Sequence, residues 1–238
     1  MGLSVVLLSY QEAENLRVLL PQIIHNVRQC GEAYEVIVVD VNPSLDNTEE
    51  VCKEFGVDYY LQEEPCFGGA FRTAIKYAKK DKFLIMDSDG SHDPKYIPDI
   101  YHKFVEENND VVIGSRYVKG GKTNDELSSQ IMSKVLNTVF RISLGIKAND
   151  ISTDYRMYKT AYLKQVKLTC NNYDVLQEVL LKMKIKKPSL MIGEVPISFK
   201  KRIMGESKRQ LIKFVLSYIV TLCRLVRLRI YMEHRRNK

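Results

Sequence analysis

Asp87-Ser88-Asp89 follows the apolar run Phe83-Leu84-Ile85-Met86. A buried strand that ends in two carboxylates one residue apart presents both on the same side, because strand side chains repeat every second position. Two adjacent carboxylates repel each other unless a cation sits between them. Their oxygens suit a hard divalent ion that keeps open positions for substrate phosphates. The chemistry this spacing implies is therefore a metal-diphosphate site. The plain alternative is a solvated acidic turn, and a chain of this length contains about one such triplet by accident. The surrounding elements have to decide.

Strands alternate with helices along the first half of the chain. Residues 3–8 read as a buried strand, and apolar residues at helical spacing (Leu16, Leu19, Leu20, Ile23, Ile24, Val27) predict a helix over 12–30. Further strands are expected at 35–40, 57–61, 82–86 and 110–114, with helices at 46–55, 68–80 and 94–107. This is the pattern of an α/β fold with a mostly parallel sheet covered by helices on both faces. Ligands of such sheets bind beyond the carboxyl ends of the strands. Tyr10, Asp40, Asp87 and Asp89 all fall at such ends, where one crevice can collect them. Beyond Gly121 the expected elements are a helix over 126–144, an extended or turning segment over 150–158, a helix over 173–185 and a late strand over 192–199.

The chain has 238 residues, 45% hydrophobic and 27% charged, enough for one large domain with a substantial core. Five widely spaced cysteines without a Cys-x-x-Cys pair argue for reduced thiols in a cytoplasmic setting, and against a disulfide framework or a zinc site. The first apolar run lacks the basic leader of a signal peptide. Net charge is +7, yet residues 200–238 alone carry twelve Lys or Arg against Glu206 and Glu233, a local balance of +10. Within that tail, residues 211–223 are apolar almost all round, too short for the ~20 residues that span a bilayer. A basic apolar helix over 211–238 fits an anionic membrane surface or a docking contact with the domain or a partner subunit, and the apolar face argues against nucleic acid. The expected division is a domain over 1–210 and this helix after it.

Five segments in order resemble the family 2 glycosyltransferases with the GT-A (Rossmann-like) fold, most closely the dolichyl- or polyprenyl-phosphate mannosyltransferase branch. They are Ser9-Tyr10-Gln11-Glu12-Ala13-Glu14-Asn15, Val38-Val39-Asp40, Met86 to Pro94, Gly114 to Gly121, and Gly205-Glu206-Ser207-Lys208. The resemblance implies a metal-dependent inverting transferase that moves a hexose, mannose or glucose, from a nucleotide sugar to polyprenyl phosphate at the cytoplasmic face of a membrane. It implies Mg2+ or Mn2+ on Asp87, Asp89 and Ser91. It implies donor contacts from Tyr10, Glu12, Asp40, Asp87, Ser88, Asp89, Arg202 and Lys208, and acceptor contacts from Arg116 and Ser133. Asp89, Arg116 and Arg202 would carry the catalysis.

A diphosphate leaving group gathers charge in the transition state, which a cation and guanidinium groups stabilise. A lipid phosphate is already ionised, so its attack needs no general base. Asp150, Asp154 and Glu178 are candidate bases only for a hydroxyl acceptor, and Asp150 to Arg156 resembles a segment near the family's acceptor. His92 and Gly68-Gly69 read as ordinary turn residues. The chain departs from the family where Val41 replaces the second Asp of an Asp-Asp pair. It departs again where Ser129 stands in place of an Arg that helps hold acceptor phosphate. The second departure supports the alternative of a same-fold transferase acting on a saccharide hydroxyl. More distant alternatives are a sugar nucleotidyltransferase, whose glycine-rich N-terminal loop is missing from residues 9–15, and a non-catalytic binding subunit, with an oligomer open in either case.

Overall fold

The computed structural model describes residues 1–124, 127–201, 203 and 211–236. The first half follows the expected alternation: β1 (Leu3–Ser9), α1 (Ala13–Arg28), β2 (Tyr34–Asp40), α2 (Thr48–Phe55), β3 (Asp58–Leu61), α3 (Cys66–Tyr77), β4 (Lys82–Asp87), a 3-10 turn at Pro94–Tyr96, α4 (Ile97–Glu106) and β5 (Val111–Ser115). The second half holds β6 (Lys122–Thr123), α5 (Leu127–Leu144), β7 (Arg156–Lys159), α6 (Thr160–Lys164), α7 (Val175–Lys186), β8 (Ile192–Pro196), β9 (Ser198–Phe199) and α8 (Leu211–Arg236).

Seven strands form one sheet in the order β3-β2-β1-β4-β7-β5-β8, with β6 and β9 paired separately. All seven run parallel except β7, which is antiparallel to both β4 and β5. The mostly parallel sheet was expected. The extended or turning segment expected over 150–158 leads into β7, whose reversed direction the sequence did not specify. The expected late strand over 192–199 also divides, its first part joining the sheet as β8 and its end pairing with β6 as β9.

Both sheet faces are buried, which is why the strands read as unbroken apolar runs rather than alternating ones. Leu7, Val38, Leu84 and Val112 face a core shared with Leu16, Leu20, Ile23, Val51 and Phe104 from α1, α2 and α4. Val6, Ile37, Phe83, Ile113 and Tyr158 face the other core, filled by Phe71, Phe140, Leu176, Leu180 and Leu225 from α3, α5, α7 and α8. Helix α8 continues through Arg224, Arg227 and Arg229 to Arg236 and docks on α5 and α7. Tyr218 stacks edge-on against Phe140 at 5.6 Å, and the Thr221 hydroxyl donates to Asp174. No helix among the described residues is long and apolar enough to cross a membrane.

Glu178, a candidate base on α7, is instead a structural anchor. Its carboxylate accepts from the backbone N–H groups of Thr169 and Cys170, each at 2.8 Å, and pairs with Lys182 at 2.7 Å. Burial alone would raise its pKa, but the Lys182 contact and the two N–H donors outweigh it and hold the carboxyl at about 2. A depressed carboxylate contributes stability that is complete above its unfolded value near ~4.3 and is lost as pH falls toward the folded one. Replacing Glu178 by Gln is therefore expected to cost roughly 3 kcal/mol at pH 7. It should also flatten the fall in stability between about pH 4 and pH 2, as urea unfolding measured across that range will show.

Candidate active site

The carboxyl ends of the parallel strands and the start of the reversed β7 lie along one edge of the sheet. Strand β4 ends at Asp87, and the turn after it passes through Gly90 at φ +84°. A side chain at Gly90 would be strained by that angle, and its Cβ would sit 2.4 Å from Ile203 Cδ1. The turn is tied internally: Ser91 Oγ donates to Asp87 Oδ2 at 3.1 Å and Ser91 N–H to Asp89 Oδ1 at 2.9 Å. The late segment is laced against it, since Lys200 N–H donates to Ser91 O and Ile203 N–H to Asp89 O, each at 2.9 Å. The expected set Asp87, Asp89 and Ser91 is thus brought together in one turn.

That turn fits the divalent ion the resemblance implies. Its donors are carboxylate and hydroxyl oxygens, the hard ligands that Mg2+ and Mn2+ take. Asp87 and Asp89 are both half-buried and both bonded to Ser91, and a cation held between them would offset their repulsion. Asp87 and Asp89 would hold the ion, with Ser91 beside them.

His92 is the residue that sequence reasoning missed. Its ring is 1% exposed, packed against Tyr155 at 4.9 Å and Phe199 at 5.3 Å. Asp87, His92 and Asp154 each place a ligand-type atom within 4.8 Å of the other two. Burial lowers the imidazole pKa, against the upward pull of Asp87 and Asp89. Its partners Thr153 and Asp154 are some sixty residues away in the chain, so no local spacing could have announced it.

Arg116 lies just past β5 and faces the segment before β7. Its Nε donates to Asp150 Oδ2 at 2.7 Å, and its Nη2 donates to Asp150 Oδ1 at 3.0 Å, Ser152 Oγ at 2.8 Å and Ser133 Oγ at 3.5 Å. Asn137 on α5 donates to Ser152 Oγ at 3.0 Å and to Ser133 Oγ at 3.4 Å. The expected acceptor pair Arg116 and Ser133 therefore meets, with Asp150, Ser152 and Asn137 added. Burial would raise the Asp150 pKa, but Arg116 more than compensates and holds it below the usual carboxylate range. An aspartate locked in this way cannot serve as the base considered for a hydroxyl acceptor. Ser129 is exposed, one helical turn before Ser133 on α5.

On the donor side, Tyr10 is 49% exposed at the end of β1, and Glu12 accepts from Asn15 Nδ2 at 2.5 Å. Asp40 is fully buried; its oxygens accept from Val41 N–H at 2.8 Å, Ser44 Oγ at 2.6 Å and Tyr59 OH at 3.2 Å. It orders the loop over 41–46 beside the crevice. Burial raises its pKa, only partly opposed by these bonds. The Ser88 hydroxyl is turned inward and donates to Leu8 O at 2.7 Å, so its side chain braces β1. Arg202 and Lys208 lie outside the described residues. Gly68 packs where a Cβ would sit 2.1 Å from Cys170 O, a close approach of backbones.

Residues 4–167 match the sequence model of glycosyl transferase family 2. The chain belongs to that family. This family 2 chain is 35% identical over 217 residues to a dolichol-phosphate mannosyltransferase of Pyrococcus furiosus, covering 87% of this chain and 59% of the relative. It thus spans about three-fifths of that relative's length. It is 27% identical over 216 residues to a polyprenol monophosphomannose synthase of Mycolicibacterium smegmatis, covering 86% of this chain and 79% of the relative. Among solved structures, glucosyl-3-phosphoglycerate synthase of Mycobacterium tuberculosis, in complex with Mn2+, UDP and phosphoglyceric acid, superposes with a TM-score of 0.73 at 18% identity. That match covers 94% of this chain and 78% of the other. The same enzyme with Mg2+ and UDP also gives 0.73, at 19% identity. The family 2 chain therefore has the GT-A fold that its sequence led us to expect.

Proposed function

We propose that this chain is a divalent-cation-dependent, inverting glycosyltransferase that moves a hexose from a nucleotide sugar to polyprenyl phosphate. One observation carries the reading. The carboxylate turn Asp87–Ser91 and the Arg116–Ser133–Ser152 cluster lie at the same sheet edge, bridged by residues 150–154. The first would hold the ion and the donor diphosphate, and the second the acceptor phosphate. When bound, the ion would neutralise charge on the departing diphosphate. The chain's own residues then position the reactants. The Arg116 fork is taken up by Asp150, so its guanidinium would lend positive charge to the acceptor phosphate, with hydroxyls added by Ser133 and Ser152. An acceptor phosphate is already an anion, so no residue has to remove its proton, and a single displacement inverts the anomeric carbon. The relatives named as polyprenol and dolichol-phosphate mannosyltransferases support mannose as the hexose.

The second reading is transfer to a saccharide hydroxyl. Exposed Ser129 favours it, because a serine supplies no charge to an acceptor phosphate. Incubation of the purified chain with Mn2+, labelled nucleotide sugars and polyprenyl phosphate decides between them. A lipid-extractable, labelled product supports the proposal. Transfer only to saccharide hydroxyls establishes the second reading. A nucleotide sugar at about 100 times its Kd should also stabilise the fold by about 2.7 kcal/mol.

A bilayer-embedded acceptor requires work at a membrane surface, and exposed apolar residues on two helices support that reading. Leu127, Ile131, Val135 and Ile142 form an exposed apolar stripe along α5, and Val220 and Tyr231 are exposed on α8. Exposed Lys134, Arg224, Arg227 and Arg235 lie on the same helices. Apolar residues flanked by cations fit the interface of an anionic bilayer. The double replacement Ile131→Asp and Ile142→Asp is expected to weaken binding to phosphatidylserine-containing vesicles by roughly tenfold or more. Vesicle sedimentation measures this; unchanged binding alongside loss of a dimer in ultracentrifugation would assign the stripe to a second copy instead.

A further inference from the structure

We infer that His92 is a neutral positioning residue, and not a ligand of the ion: it fixes the Asp87–Asp89 turn and ties it to the acceptor-side segment 150–154. The inference rests on the reading of Asp87 and Asp89 as the ion's carboxylates. Strand β7 pairs with β4 only as far as Ile85 opposite Arg156. Beyond that point β7 no longer pairs with β4, so backbone donors there must be met from outside the ladder. His92 supplies the missing acceptor, because the Asp87 N–H donates to its Nδ1 at 3.0 Å.

That bond settles the ring's chemistry. The single in-plane lone pair of Nδ1 is committed to the peptide N–H, so it is unavailable to a metal, and a proton on Nδ1 would face a second N–H. The ring proton is therefore on Nε2, which sits 3.3 Å from Thr153 Oγ1. Thr153 Oγ1 is itself fixed by accepting from Tyr155 N–H at 3.3 Å. Asp87 Oδ2 and Asp154 Oδ1 approach Nδ1 only to 3.5 and 3.7 Å. A continuous bridge results, running from the backbone of Asp87 through the imidazole to Thr153. Thr153 is the neighbour of Ser152 and three residues from Asp150, the two residues that hold Arg116. The same ring thus sets the position of the carboxylate turn and of the segment that positions the acceptor-side cation.

Two variants separate this role from ligation and from simple packing. His92→Asn keeps an amide oxygen at the branch position of Nδ1, whereas His92→Phe keeps the ring's contacts with Tyr155 and Phe199 but offers no acceptor. Outer partners of metal ligands typically set affinity by about 10- to 100-fold. Titrating MnCl2 into the full chain, with free Mn2+ read by electron paramagnetic resonance, should show a loss of about that size for His92→Phe and most of it restored in His92→Asn. Imidazole nitrogen NMR of the unaltered chain should show Nε2 protonated and Nδ1 accepting, with no change on adding MgCl2. Wild-type Mn2+ affinity in His92→Phe overturns the inference, as does a Nδ1 signal that moves to a metal-bound position with Mg2+. The NMR measurement decides even if a variant does not fold. Asp87→Asn is the control: if it loses Mn2+ while His92→Phe does not, only this inference fails, and if it too binds as before, the metal reading itself fails.

Discussion

Asp89→Asn should lower turnover by about 100- to 1000-fold, the usual size of a lost electrostatic contact to charge that develops in a transition state. The substitution suits the test because the local geometry tolerates it. Asp89 Oδ1 accepts from Ser91 N–H at 2.9 Å, and the amide oxygen of an asparagine can accept the same bond. The Asp89 carbonyl that receives Ile203 N–H is main chain and is unaffected. What disappears is the negative charge. Removing one of two carboxylates in the same turn relieves repulsion in the absence of a cation, so the metal-free melting temperature should stay within about 2 °C of the parent or rise. Adding Mn2+ should then stabilise the variant less than the parent. Steady-state transfer assays and melting curves in EDTA and Mn2+ give both numbers, and full turnover in Asp89→Asn would refute the proposed site.

The second large effect is on stability. Arg116 and Asp150 form an ion pair in which the Arg116 side chain is 9% exposed and that of Asp150 is fully buried. Removing one member of such a pair leaves the other charge uncompensated, at a cost of about 3–5 kcal/mol. Asp150→Asn should therefore be among the most destabilising single changes in the chain, and Arg116→Met nearly as severe. The double variant Arg116→Met, Asp150→Leu should recover much of the loss, because neither charge then remains stranded. It should not recover transfer to a phosphate acceptor, for which the Arg116 guanidinium is proposed to be required. The pH dependence has a definite sign. Asp150 is held below its ordinary value, so the pair's contribution is complete above the unfolded-state pKa near ~3.9 and fades as pH falls through the folded value. Urea unfolding of the three variants between neutral and acidic pH measures all of this.

The parallel strands were legible because burial on both faces makes them continuous apolar runs, as in Val36 to Val39 and Val111 to Ile113. Strand β7 was not, and Arg156 shows why. This arginine is fully buried, with Nη1 donating to Leu176 O at 2.8 Å, whereas an arginine in a sequence ordinarily marks a surface. Strands of two residues, such as β6 and β9, are too short to show any period. The carboxylate turn could be read because a strand's end and its chemistry coincide at Asp87. Donor contacts from Asp40 and Ser88 were expected from the family resemblance, whereas the direction of each side chain, Asp40 toward Ser44 and Tyr59 and Ser88 toward Leu8 O, is set by tertiary packing. Glu178 is the same lesson on a helix: its 1% exposure follows from the turn at Thr169 and Cys170, which its own segment does not announce.

Helix α8 is riveted to the body: Tyr218 and Leu225 are 3% and 1% exposed, and Arg229 caps the end of α5 by donating to Ser143 O at 2.9 Å. An outward face carried on such a helix has a set height above the crevice. On the membrane reading, the fold itself works as a depth gauge. A tether would let the crevice sample every distance from the lipid, whereas a docked helix would hold it at one level.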